Sequence, residues 1–356
     1  MGRQKTSRAA TTTKRRSTPV PAPAPGPAPF VPPYRRSWFD HLTAAVDRLP
    51  GPYWAPYVVA FLAYLGLVAA ARWRDGQLVT PEDLYSNSLP FYGFWLIHYL
   101  NRRAAASLKA FRPAFTGNEA ELQEVHWQLT TLPVWPAAIV SLVALLAVVL
   151  PSLRWSWATA IQVVSTLSFY ATLVFAGLYA YHSVRQLRLV TSLYAGRTLI
   201  DIHNVAPLYS FAILSAHTAI GMLLVLSAAV LITPAGLTGW WLVASVAFGV
   251  LAVLTFLLPL TGLHRRLVEV KEEELLDNNR RWQACTVELY RLIDRGDLAS
   301  ADRLNGSLAA LERSRTALER IPTWPWRAET LRNLVGAVLL PVILSAIQYA
   351  LKRWLG

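Results

Sequence analysis

The stretch from His264 to Arg327 decides the expected fold. It reads, in order, HRRLVEVKEEELLDNNRRW (264–282), DRGDLAS (294–300), ADRLNGSLAALERSRTALER (301–320) and IPTWPW (321–326). It holds eleven of the chain's 21 acidic residues beside twelve lysines and arginines. Such a segment belongs in water, whereas the sequence on either side is apolar over roughly the 20 residues that a bilayer-spanning helix needs. We therefore expect a membrane protein with one soluble helical hairpin built into it.

The composition also favours a membrane protein. Hydrophobic residues make up 54% of the chain and charged residues 15%, with a mean hydropathy of +0.33, whereas soluble domains are about a quarter charged. The single cysteine, Cys285, allows neither an internal disulfide nor a cysteine metal site. The net charge of +13 is explained by basic residues massed on the cytoplasmic side of a membrane. No nucleic-acid partner is therefore expected.

These patterns divide the chain into four segments. Residues 1–36 are basic and then rich in proline and alanine, which predicts a disordered cytoplasmic tail. Residues 37–263 hold the first six transmembrane helices with cytoplasmic helical extensions, and their first part (37–49) has the spacing of a helix that lies along the membrane surface. The hairpin occupies residues 264–327, and residues 328–356 hold the last transmembrane helix.

Seven apolar runs are candidate spans. They lie at 53–71, 84–100, 133–150, 156–181, 206–232, 240–263 and 331–351. The second run, LYSNSLPFYGFWLIHYL, is short and contains His98, so a re-entrant or interfacial segment stays open as the alternative to a span. The expected fold class is an all-α integral membrane protein of about seven (six to seven) transmembrane helices with a cytoplasmic antiparallel helical hairpin.

The distribution of basic residues favours seven spans. With seven spans and a cytoplasmic N-terminus, 29 of the 34 lysines and arginines fall on the inside and five on the outside. Removing the second span would reverse everything after it and place the hairpin outside, against the positive-inside bias. We therefore expect a multi-pass protein of the cell (inner) membrane, with the N-terminus in the cytoplasm and the C-terminus outside.

The hairpin shows the apolar spacing that two antiparallel helices need to pack on each other. The predicted coiled-coil seam consists of Leu275, Trp282 and Leu289 on the first arm and Leu304, Leu308 and Leu311 on the second. Gly296 can adopt the left-handed conformation that ends the first arm, and Asp297 or Ser300 is the expected N-cap of the second. The carboxylates at 272–274 have no further ligand at suitable spacing, so they indicate a solvated face and no metal site.

IPTWPW (321–326) marks the point where the chain re-enters the membrane. Trp324 and Trp326 are expected to form an interfacial anchor, which we favour over a ligand-binding aromatic pocket. The order of a Leu-His-Arg-Arg exit (263–266), a charged hairpin, IPTWPW and a terminal apolar helix resembles that of uncharacterised bacterial multi-pass membrane proteins. The resemblance covers the last third of the chain and implies an architecture without implying an activity.

A few polar residues inside the apolar runs are candidates for chemistry. The candidate intramembrane polar site consists of His217, Ser210 and Thr218 in the fifth run and Gln162, Thr166 and Tyr170 in the fourth. His217 could serve a proton or ion path, but a neutral histidine bonded to a neighbouring helix is the favoured interpretation. The remaining histidines near span ends (His182, His203 and His264) are expected to face headgroups or water. No catalytic, nucleotide or metal motif occurs, so neither a cofactor nor catalysis is indicated.

Three function classes remain after this search. The leading hypothesis is a non-enzymatic scaffold, interaction or signalling protein whose cytoplasmic hairpin binds a second copy or another cytoplasmic protein. The alternative is a channel or transporter for a small ion or solute with a polar path near His217. An intramembrane enzyme stays open as a third class. In each case the basic inner face should favour anionic lipids.

Overall fold

The computed structural model describes residues 30–152, 159–202, 204–232 and 240–355. Contacts divide the chain into residues 1–31 and residues 32–356, and every described helix belongs to the second unit. These helices are α1 (Trp38–Val46), α2 (Ala55–Arg74), α3 (Pro81–Phe111), α4 (Glu119–Thr130), α5 (Val134–Ser152), α6 (Ala160–Gly196), α7 (Ser210–Ile232), α8 (Trp240–Asp294), α9 (Leu298–Arg320) and α10 (Ala328–Leu355). In the described ranges β-pairing is limited to two isolated bridges, so the all-helical prediction is confirmed.

Among the described residues, six helical segments are long and apolar enough to cross a membrane. They are Ala55–Arg74, Val134–Pro151, Ala160–Gly196, Ala206–Ile232, Val246–Asp294 and Ala328–Gln348. They overlap six of the seven predicted spans, with bounds that differ by a few residues, and residues 156–158 of the predicted fourth span lie outside the described residues. The remaining prediction, 84–100, falls inside α3. This helix has 31 residues but is not apolar enough to join the six.

The low hydropathy of α3 follows from where the helix lies. It packs against α2, α6 and α7, so its polar side chains meet protein on several sides. Asn87, His98, Asn101 and Ser107 are all buried. Ser107, for example, donates a hydrogen bond to the backbone oxygen of Ser210 on α7 at 2.9 Å. A helix buried among other helices can carry polar residues that a lipid-facing helix cannot.

The start of α3 is fixed by a capping box and an ion pair. The Thr80 hydroxyl accepts a hydrogen bond from the Asp83 backbone N–H, and the Asp83 carboxylate accepts one from the Thr80 N–H. The same carboxylate accepts two hydrogen bonds from the guanidinium of Arg72, at 2.9 and 2.7 Å. Because Arg72 lies at the end of α2, this pairing also closes the α2–α3 connection.

Two glycines allow the helices around α3 to approach closely. A Cβ at Gly93 of α3 would collide with the ring of Phe175 on α6, and a Cβ at Gly221 of α7 would lie 2.7 Å from Leu96 of α3. Leu96 belongs to the largest buried cluster, which joins α3, α7 and α8 through residues such as Phe211 and Phe256. The central contact of the bundle therefore requires the absence of side chains at these two positions.

The polar stretch 264–327 is continuous with the bundle. The 55-residue helix α8 runs from its apolar first half into the charged second half, over about 80 Å at 1.5 Å per residue. Gly296 has φ +75°, and α9 then returns along α8. Lys271 donates to the backbone oxygen of Glu319 at 2.7 Å, and Asn278 donates to that of Leu311 at 3.3 Å. These pairings give the two helices an antiparallel register.

The predicted seam between α8 and α9 is only partly buried from water. Leu275, Leu289, Leu304, Leu308 and Leu311 are half-buried, whereas Trp282 is 39% exposed. The sequence pattern also passed over the buried Asn278, because a polar residue breaks an apolar repeat. A polar side chain in such a seam fixes the register of the two helices.

Asp297 is the N-cap of α9, the first of the two predicted alternatives. Its carboxylate accepts a hydrogen bond from the Ser300 backbone N–H at 3.1 Å. The hydrogen bonds from Ser300 hold the pKa of Asp297 below its ordinary value. The cap therefore contributes stability above the ordinary carboxyl pKa and loses it as the pH falls through the lowered one.

The return to the membrane is built from stacked rings. Trp324 stacks on His264 of α8 with ring centroids 3.9 Å apart, and Trp326 stacks on Trp324 at 4.4 Å. The His264 Nδ1–H donates to the backbone oxygen of Thr323 at 3.1 Å. Phe256 meets Trp326 at 5.5 Å. The His264 ring is stacked on tryptophan but keeps part of its surface exposed, and both tryptophans are half-buried.

The end of the predicted tail makes defined contacts. Residues 1–29 lie outside the described residues, but Tyr34 donates a hydrogen bond to the backbone oxygen of Thr131 at 3.0 Å and accepts one from Arg185 of α6 at 2.5 Å. The Arg36 guanidinium lies over the ring of Trp127 on α4. Aromatic and guanidinium groups give this short segment partners that the basic and proline-rich composition of 1–36 did not indicate.

The close approach at Gly221 predicts the effect of a substitution. Gly221→Val would push methyl groups into Leu96 and should lower the free energy of unfolding by about 1–3 kcal/mol. The matched control is Gly249→Val on α8, where an added Cβ meets nothing within 4 Å. Thermal unfolding of the two purified variants measures the difference. Equal stability of the two would contradict the packing of α7 on α3.

Candidate functional site

A polar cluster surrounds His98 near one end of the bundle. The His98 Nδ1 lies 3.0 Å from the Tyr57 hydroxyl of α2, and its Nε2 lies 3.3 Å from an oxygen of Asp47, which follows α1. Asp47 also accepts a hydrogen bond from Arg102 at 3.0 Å. The Arg102 guanidinium lies 4.7 Å from the ring centre of Tyr53, whose ring is 5.4 Å from His98. The cluster joins α1, α2 and α3.

The geometry indicates the protonation pattern of His98. Its Nε2 lies 3.3 Å from a carboxylate oxygen without the alignment of a hydrogen bond, and a nearby carboxylate favours the neutral tautomer that carries its hydrogen on Nε2. The bare Nδ1 then accepts the hydrogen bond of the Tyr57 hydroxyl. The His98 side chain is 3% exposed and that of Asp47 is 44% exposed. The cluster therefore connects a buried imidazole to a carboxylate that water can reach.

A second cluster lies one helical turn further along α3. The His182 Nε2 of α6 lies 2.5 Å from the Asn101 Oδ1 of α3. The Gln186 amide, one turn further on α6, donates to the backbone oxygen of Leu129 at 2.7 Å and also lies 3.0 Å from His182. All three side chains are buried. Asn101 can accept the Nε2 hydrogen, which leaves the His182 Nδ1 without a hydrogen-bond partner among the described residues.

The second cluster differs from what the sequence indicated. His182 was expected to face headgroups or water but is 2% exposed, because Asn101 and Gln186 offer it partners inside the bundle. His203 lies outside the described residues. The sequence spacing of these polar residues could have indicated the two clusters. His98 and Asn101 are three apart and His182 and Gln186 are four apart, so each pair shares a helix face.

The structure places the predicted polar residues of α7 against backbone carbonyls. The His217 Nδ1–H donates to the oxygen of Ile213 at 2.6 Å, and its ring lies 5.7 Å from that of Tyr99 on α3. The hydroxyls of Thr218 and Ser210 donate to the oxygens of Leu214 and Pro207. These are the contacts of polar groups that satisfy their own helix.

The predicted polar residues of α6 have their partners on α6 itself and on α5. The Thr166 hydroxyl donates to the oxygen of Gln162 at 2.7 Å, and the Tyr170 hydroxyl donates to the oxygen of Ser141 on α5 at 3.4 Å. The link between α6 and α7 comes instead from Tyr179, which donates to the oxygen of Thr218 at 2.6 Å. Tyr179 was not singled out in the sequence because tyrosines are scattered through several apolar runs.

The described residues offer no cluster of three or more histidine, cysteine, aspartate or glutamate side chains that could hold a metal ion. Both clusters connect helices. The first also places the buried imidazole of His98 between the Tyr57 hydroxyl and the Asp47 carboxylate. The second cluster ties α3 to α6 and to the end of α4 through Leu129.

Comparison with known proteins gives no family. No model of a protein family matches the chain. No curated protein matches it, and no solved structure matches it.

The second cluster predicts an energetic coupling between Asn101 and His182. Asn101→Leu leaves the imidazole of His182 buried without its partner and should lower the free energy of unfolding by about 1–3 kcal/mol. Adding His182→Leu removes the unpaired group, so the double variant should lose less than the sum of the two single variants. Thermal unfolding measures all three, with Asn279→Leu on the exposed face of α8 as the control. Strict additivity would contradict the coupling.

Proposed function

We propose that the chain is a seven-span membrane protein whose hairpin projects into the cytoplasm and joins two copies of the protein. The hairpin consists of the charged second half of α8 and of α9. The observation that carries the proposal is a set of exposed apolar side chains at its far end. The role is that of a non-enzymatic scaffold that brings two membrane bundles together.

The seven-span arrangement is supported by the length and surroundings of α3. Its 31 residues correspond to about 46 Å at 1.5 Å per residue, more than the roughly 30 Å of a hydrocarbon core. With α3 as a span and the N-terminus inside, 29 of the 34 lysines and arginines lie on the cytoplasmic side. The same count puts the hairpin in the cytoplasm and the C-terminus outside.

The exposed apolar set at the end of the hairpin is here called the tip stripe. It consists of Val287 (58% exposed), Tyr290 (64%) and Ile293 (48%) on α8, together with Leu298 (69%) on α9. On α8 the three residues are three apart, so they share one side of the helix. The surrounding surface is charged and polar. Neighbouring apolar side chains exposed in such a segment are typical of an interaction surface.

A second copy is the partner that fits the stripe best. The segment 264–327 carries eleven acidic and twelve basic residues, so it has no strong field of one sign to select an acidic or basic partner. Two copies in one membrane present their tip stripes at the same distance from the bilayer. A two-fold arrangement then lets each stripe cover the other.

Conduction through the bundle has less support. His217, Thr218 and Ser210 donate to carbonyls of α7 or of the turn before it, and Tyr170 donates to α5. The first three contacts satisfy the polar groups locally, and the Tyr170 bond joins two helices. No specific observation adds an ion or solute path to them.

The proposal predicts that charge in the tip stripe abolishes self-association. Tyr290→Glu combined with Val287→Glu buries two carboxylates in the proposed interface and should convert dimers to monomers. Ala310→Glu, on the exposed face of α9, adds a carboxylate away from the stripe and should leave the dimer intact. The mass of the purified protein in detergent or nanodiscs measures the outcome. A monomeric unmodified protein, or dimers that persist in the double variant, would contradict the proposal.

A further inference from the structure

A groove runs between α2 and α3 on the side of the bundle where α2 is largely exposed. Its volume is about 370 Å³, and its wall is almost entirely apolar. The residues that line it include Trp54, Tyr57 and Phe61 of α2 and Ser88, Phe91 and Trp95 of α3. Trp54 is half exposed at the start of α2. Such a surface belongs against hydrocarbon.

The end of the groove nearest Trp54 is connected to a cation. Tyr57 lines the groove and contacts His98, and His98 and Arg102 share the carboxylate of Asp47. The Arg102 side chain is 55% exposed. A guanidinium has five N–H donors, of which the hydrogen bond to Asp47 uses one, so Arg102 can still bind a second anion.

Two further exposed arginines follow Asp47 and Arg102 in the sequence. Arg48 follows Asp47 and is exposed, and Arg103 follows Arg102 and is also exposed. The Arg103 guanidinium donates to the Tyr99 hydroxyl at 2.9 Å. Arg102 therefore pairs with Asp47 where the apolar groove ends, and Arg48 and Arg103 are exposed neighbours of this pair in the sequence. This combination complements a molecule with a long apolar part and a single anionic head.

We infer that the α2–α3 groove binds one anionic phospholipid of the cytoplasmic leaflet. Its phosphate pairs with Arg102, and one acyl chain lies along the groove past Phe61 and Phe91. The choice of leaflet rests on the proposed topology, whereas the site itself does not. Trp54 has the position of an interfacial residue, between the headgroup and the chain. The ion pair of Asp47 with Arg102 weakens the repulsion between the Asp47 carboxylate and the phosphate.

A second groove in the bundle serves as an internal comparison. It lies between α7, α8 and α10, has a volume of about 410 Å³, and is lined by residues such as Leu226, Val250 and Val338. The lining of neither groove contains a cation, but the α2–α3 groove is connected to Arg102 through Tyr57, His98 and Asp47, and the described contacts connect no arginine to the second groove in this way. Lipid that occupies this groove should therefore show no preference for an anionic headgroup. The cation at the end of the α2–α3 groove makes the two sites distinguishable.

The test counts lipids that stay bound to the full-length protein. The protein is exchanged into mixed nanodiscs of phosphatidylglycerol and phosphatidylcholine with matched chains, extracted mildly, and weighed by native mass spectrometry. The unmodified protein should retain phosphatidylglycerol in preference. Arg102→Gln should reduce this preference by about fivefold, as expected for the loss of one membrane-surface cation. Arg265→Gln, an exposed arginine on α8, should leave it unchanged.

A second pair of variants tests the groove itself. Ser88→Trp fills the α2–α3 groove and should remove the retained phosphatidylglycerol, whereas Val250→Trp fills the comparison groove and should not. Equal retention of the two lipids by the unmodified protein, or an unchanged preference in Arg102→Gln, would overturn the inference. So would a preference that survives Ser88→Trp, because the headgroup would then bind without the chain. Loss of dimers in the tip-stripe variant leaves this result unaffected, so the two proposals fail separately.

Discussion

The structure depends on the need to satisfy the polar side chains of α3 inside the protein. Hydrocarbon offers no hydrogen bonds, and each unsatisfied polar group there costs several kcal/mol. Ser107 reaches α7, Asn101 reaches α6, and His98 reaches α2 and the residue after α1. Once these partners surround α3, the other apolar helices are left to face the lipid. A hydrogen bond between membrane helices is worth only about 0.6–2 kcal/mol, so it is the set of them that fixes the position of α3.

The architecture around α3 follows from sequence to different degrees. Six apolar runs and one charged stretch suffice to predict an all-helical chain with candidate spanning helices. The reason is that the length and hydropathy of a run indicate whether a helix can cross a bilayer. Hydropathy leaves α3 outside the six candidate spans because its buried polar residues lower the average. The partners are 103 residues apart for Ser107 and Ser210 and 81 apart for Asn101 and His182. No local pattern specifies such pairs, although the charge distribution pointed to a seventh span.

The candidate site was predictable in part. His98 was noticed because an ionisable residue in an apolar run is unusual, but Asp47, Tyr57 and Arg102 come from three elements that only the fold brings together. In the hairpin, the leucine spacing predicts an apolar seam, whereas the buried Asn278 and the 39% exposure of Trp282 depend on how α9 is placed. The stacked rings of His264, Trp324 and Trp326 join the base of α9 to α8. Since α8 is continuous from bundle to hairpin, an association at the tip stripe is mechanically connected to the membrane helices.

The position of α3 is tested most directly by mapping the two ends of this helix across the membrane. In a Cys285→Ser background, Leu78→Cys lies before α3 and Ala120→Cys lies after it, and both positions are exposed. A membrane-impermeant maleimide should label Leu78→Cys in intact cells and Ala120→Cys only after permeabilisation. In the unmodified protein, the native Cys285 should be labelled like Ala120→Cys, only after permeabilisation. Labelling of both introduced cysteines from the same side would contradict a spanning α3 and the account built on it.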